Sequence, residues 1–62
     1  MNQAELKNYN QKQASLFVKL GIIVNGEIAD FDRFSEASAR FRALYNQGKS
    51  YLEISKIMES EF

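Results

Sequence analysis

The sequence predicts a small, mainly α domain of three helices, with a short β-hairpin over residues 22–29 after the first helix. Three observations lead there. Apolar side chains recur at helical spacing within residues 2–20, 34–45 and 51–58. Gly21 and Gly48 end the first two of these stretches, at positions where a chain leaving a helix often takes positive φ. Between them lies Ile22-Ile23-Val24-Asn25-Gly26-Glu27-Ile28-Ala29, a β-branched run leading into Asn-Gly.

Residues 2–20 read as the first helix, with Asn2 as its N-cap. Leu6, Tyr9, Leu16, Phe17 and Leu20 fall on one face, and Gln13 sits in the same stripe. A two-residue turn at Asn25-Gly26 would pair Val24 with Glu27 and Ile23 with Ile28. Strands this short are marginal unless a helix covers one face, so a plain loop is the alternative. The second helix starts near Asp30, Asp32 or Ser35, each able to cap it, and runs to Gln47. Its stripe is Phe34, Ala37, Phe41, Leu44 and Tyr45, with Ser38 inside it. Ser50-Tyr51-Leu52-Glu53 is a capping box, so a third helix starts at Tyr51 and buries Tyr51, Ile54, Ile57 and Met58.

Sixty-two residues make one domain, spanning 1–62, with a core so small that self-association is a common way to bury more surface. The chain has no Cys and no His, which excludes disulfides and the usual zinc sites. A serine nucleophile would need Lys or a carboxylate as its base, and there is no glycine-rich phosphate loop. Asp30-Phe31-Asp32 suggests a calcium loop, but the sixth and twelfth places counted from Asp30 hold Ser35 and Phe41 where Gly and an acid are needed. Helix capping accounts for both acids without an ion. The expectation is a protein that is not an enzyme and holds no cofactor or metal. The polar N-terminus has no signal-peptide pattern, and Ile22-Ile23-Val24 is far too short to span a bilayer. A cytoplasmic protein with no membrane attachment is expected.

Residues 41–58 resemble the opening of helix-turn-helix domains of the resolvase and sigma-factor sort. The likeness rests on a helix ending in glycine followed by Gly48-Lys49-Ser50-Tyr51-Leu52-Glu53-Ile54. In those families a turn and a recognition helix follow, and that helix enters the major groove. Here Met58 is followed by Glu59-Ser60-Glu61-Phe62, which carries two acids in place of that element. The resemblance implies a dimeric DNA-binding regulator as one functional reading. The basic side of the middle helix, Arg33, Arg40, Arg42 and Lys49, would face phosphate. Eight basic and eight acidic residues cancel, and ordinary surface pairing with nearby acids explains the same residues.

The other reading starts from the opposite side of the middle helix. Ser35, Ala39, Ala43 and Asn46 recur there at spacings of four, four and three, with no charge among them. Small residues at that spacing admit a second helix at close range, although Ala is also the best surface helix former. The expected function is therefore a small interaction or regulatory module that binds a larger protein or forms a homo-oligomer. Chains of this size without catalytic groups often act as inhibitors of host or phage machinery, which is an expectation from size alone.

Overall fold

The computed structural model describes residues 1–62. Each helix begins on a side chain that accepts hydrogen bonds from its own otherwise unpaired N–H groups. Asn2 Oδ1 accepts from Glu5 N at 2.8 Å and opens α1 (Gln3–Lys19). Asp30 Oδ1 accepts from Asp32 N and Arg33 N at 3.0 and 3.2 Å and opens α2 (Phe31–Asn46). Of the three candidate caps for this helix, Asp30 serves. Ser50 Oγ accepts from Glu53 N while Glu53 Oε1 accepts from Ser50 N, both at 3.2 Å, a complete capping box that opens α3 (Tyr51–Glu61).

The helix ends are equally local. Gly21 and Gly48 adopt φ of 74° and 82°. Ile22 N donates to Phe17 O at 2.9 Å and Lys49 N to Leu44 O at 3.3 Å, the crossed bonds of a Schellman motif at each end. The first of these turns the chain into β1 (Ile23–Val24), which pairs antiparallel with β2 (Glu27–Ile28). Ile23 lies opposite Ile28 and Val24 opposite Glu27, the register expected of a two-residue turn. Asn25 and Gly26 both have positive φ, 54° and 78°, as a type I′ turn requires. The hairpin, not the plain loop, is formed. It is held to the helices by Ile22, which is fully buried, and by Ile23, which packs against the core.

The helices pack as an antiparallel series. Tyr9 meets Phe41 and Tyr45 edge-on, with ring centroids 5.2 and 4.9 Å apart, while Phe17 meets Phe34 at 5.5 Å and Phe41 at 6.4 Å. Low numbers on α1 thus face high numbers on α2. The α3 helix returns along α2, so Glu61 reaches Arg40 and the Phe62 carbonyl reaches Arg33. Leu16, Phe17, Ile22, Ala37, Phe41, Leu44, Ile54 and Met58 form the closed centre.

Two details differ from the stripes read in sequence. Leu6 is 48% exposed, because the facing partner of Tyr9 on α2 is Tyr45, in its last turn, and nothing lies beyond to cover an earlier turn of α1. Ser55, which lies outside the expected α3 stripe, is buried, and its hydroxyl has no hydrogen-bond partner. No helix is long and apolar enough to cross a membrane.

Candidate functional site

The side of α2 turned away from Phe41 and Leu44 is open. Ser35, Ala39, Ala43 and Asn46 are all exposed. Ala39, Ala43 and Asn46, together with Ser38 and Arg42, line a shallow depression of about 420 Å³. Ser35 lies outside it. The absence of long side chains at 39 and 43 is what hollows the surface, since neighbouring positions carry larger groups. The face is cut off from the core by the helix itself, so no other element of this chain covers it.

The four basic residues are not brought to one surface. Arg33 is half-buried and donates through Nη2 to the Phe62 carbonyl at 2.8 Å and, at 3.5 Å, to the Leu20 carbonyl. It ties the ends of α1 and α3 to the start of α2. Arg40 forms a two-pronged ion pair with Glu61, Nε to Oε1 and Nη2 to Oε2, both at 2.9 Å. These two cations face the end of α3, as their spacing of seven suggests. Arg42 points elsewhere, onto the depression. Lys49 lies at the opposite end of the bundle, in a cleft with Tyr9, Tyr45 and Tyr51. In the sequence those tyrosines lie in three separate apolar stripes. Their convergence would have been visible only by aligning the helices as an antiparallel series.

Two exposed carboxylates and one exposed guanidinium are shifted by hydrogen bonds at helix ends. The hydrogen bond from Arg40 holds the Glu61 carboxyl below the usual carboxylate range, and Glu61 raises the Arg40 guanidinium in return. The Ser50 backbone N–H and hydroxyl likewise lower Glu53. Both are effects of hydrogen bonding at a helix end rather than of a reactive centre. No three acidic side chains converge where a metal ion could sit.

The fold and this surface define a three-helix domain with a hairpin inserted after α1 and one uncovered small-residue helix face. No protein-family model, no curated protein and no solved structure matches the chain.

Proposed function

We propose that the protein is a non-enzymatic interaction module that docks through the far side of α2 on a larger protein or on a second copy of itself. The observation that supports this reading is the exposed small-residue face of Ala39, Ala43 and Asn46, with Arg42 as the one charge beside it, on a helix whose other side is used by the core. An ordinary solvated helix flank of this length would more usually carry Glu or Lys at such positions. Two alanines a turn apart let an approaching helix come close to the α2 backbone, which favours a helical docking segment. A module of this size affects its partner by occupying a surface, so the consequence for the partner is regulation or inhibition. The reading as a duplex-binding regulator is weaker, because Arg33 and Arg40 are already engaged by the Phe62 carbonyl and Glu61.

The test is Ala39→Glu, which places a long charged side chain on the docking face without touching the core. Light scattering across a concentration series and affinity capture with the tagged chain are compared for the wild type and the variant. Loss of assembly or capture, with unchanged helicity by circular dichroism, is the expected result. Equal assembly and equal capture by the two proteins would overturn the reading. Salt-resistant, sequence-specific duplex binding would replace it with the nucleic-acid reading.

A further inference from the structure

At the end of the bundle where α1, the last turn of α2 and the first turn of α3 meet, the chain forms a cleft of about 220 Å³. It is walled by Tyr9, Tyr45 and Tyr51, with Lys12 and Lys49 at its sides. Lys12 Nζ lies 5.8 Å from the centroid of the Tyr51 ring. The cleft is distinct from the depression on the far side of α2 and shares no residue with it.

Tyr9 is the informative residue. It is only 9% exposed, and edge-on contacts with Phe41 and Tyr45 hold its ring in place. A phenylalanine would satisfy that packing. The hydroxyl finds no hydrogen-bond partner within the chain, yet it is not sealed in, since Ser55 Oγ is the one side-chain atom that is both enclosed and unpartnered. It therefore opens onto free space, and the cleft is the only concavity that Tyr9 lines. A largely buried tyrosine usually finds a partner for its hydroxyl. Neither Tyr45 nor Tyr51 bonds through its hydroxyl to the rest of the chain.

The charges point the same way. Arg40–Glu61 is the one ion pair of the molecule, so neither Lys12 nor Lys49 has a carboxylate within 4.0 Å. Glu53 contributes some negative potential near Lys49, but its carboxylate is bonded to the Ser50 N–H and lies outside the cleft wall. No carboxylate lines the cleft. Two lysines and three tyrosines thus line one cleft, a donor-rich and aromatic setting for an anion with a flat ring. The volume lies below the range of about 300–1,000 Å³ for drug-sized ligands, which limits the occupant to a single ring.

We propose that this cleft binds a small aromatic anion, one ring bearing a phosphate or carboxylate, with the anionic group between Lys12 and Lys49 and the ring against the tyrosines. The test is a titration of the ¹⁵N-labelled full chain with phenyl phosphate, benzoate and inorganic phosphate, followed by amide chemical shifts. The expected result is saturable shifts around Tyr9, Lys12, Lys49 and Tyr51 with at least one of the two ring compounds. Inorganic phosphate should bind at least about tenfold more weakly than that compound. The preferred ring compound identifies the anionic group. Lys12→Gln combined with Lys49→Gln should weaken binding by about tenfold or more with an unchanged melting temperature. Tyr9→Phe, which keeps the ring packing, should weaken it with the fold intact. The proposal is overturned if neither ring compound gives saturable shifts, if the shifts map elsewhere, if inorganic phosphate binds as well, or if the lysine variant binds unchanged.

Discussion

Gln13 Nε2 donates to Ser38 Oγ at 3.1 Å, joining α1 to α2 at the one polar position that interrupts each of their apolar stripes. The pair sits between the Tyr9–Tyr45 and Phe17–Phe34 contacts, so it marks the midpoint of the α1–α2 seam. A part-buried polar pair of this kind selects one alignment of two helices, because sliding either by a turn would leave both groups facing apolar surface. Ser38→Ala should cost about 0.5–1.5 kcal/mol by leaving the Gln13 amide without its partner. Combining Gln13→Leu with Ser38→Ala should recover much of that loss. A urea-denaturation double-mutant cycle measures the coupling, and additive effects would show that the bond contributes nothing to the alignment.

The turn at Asn25-Gly26 depends on backbone conformation and not on space. A Cβ built on Gly26 would meet nothing within 4 Å, yet φ there is +78°. Gly26→Val should therefore destabilise the domain by about 1–2 kcal/mol or more, since left-handed backbone is costly for an L-residue and more so for a β-branched one. The melting temperature reads this directly. Gly26→Asn should be much milder, because Asn tolerates that region.

Ser55 invites the opposite outcome. Its hydroxyl is enclosed and unpartnered inside α3. Ser55→Ala removes the unpaired group and improves helix propensity, so stability should rise by up to about 1–2 kcal/mol. A fall in the urea midpoint would show that the hydroxyl has a partner in solution, such as a carbonyl one turn earlier.

Acid should weaken the domain through the helix ends. Folding lowers the pKa of Glu53 and of Glu61, so in the acid range the folded chain binds fewer protons than the unfolded one. Their contribution is fully present above the unfolded carboxylate value of about 4.3, and it is lost as pH falls through the lower folded values. Glu61→Gln should flatten part of the acid limb of a stability profile while leaving the shape above neutrality unchanged. The Arg40–Glu61 pair is exposed, so its share should also shrink with added salt. Because the Arg40 guanidinium is engaged by Glu61 on both prongs, Arg40→Ala should leave affinity for duplex DNA unchanged at physiological salt, measured by fluorescence anisotropy.

The fold was legible in the chain to the extent that it depends on neighbours. Asn2, Asp30 and Ser50 start helices through bonds spanning two or three positions, and Asn25-Gly26 determines a strand register through two dihedral angles. Those interactions are local, which is why the helix stops, two of the caps and the register a hairpin would take follow from sequence. The choice of Asp30 over Asp32 and Ser35, and of hairpin over loop, came with the packed structure that buries Ile22 and packs Ile23 against the core. The small-residue spacing of Ala39, Ala43 and Asn46 is of the same kind, since a helix converts spacing into a shared face. What required the tertiary structure is everything set by the axial offset of one helix against another. That offset leaves Leu6 uncovered, matches Gln13 with Ser38, gives Arg33 and Arg40 partners at the end of α3, and gathers Tyr9, Tyr45, Tyr51, Lys12 and Lys49 at one end of the bundle. Each stripe in the sequence states which side of a helix is buried. How far along its partner each helix sits is decided when all three stripes are packed together, because only then does sliding one of them expose apolar surface or strand a polar group.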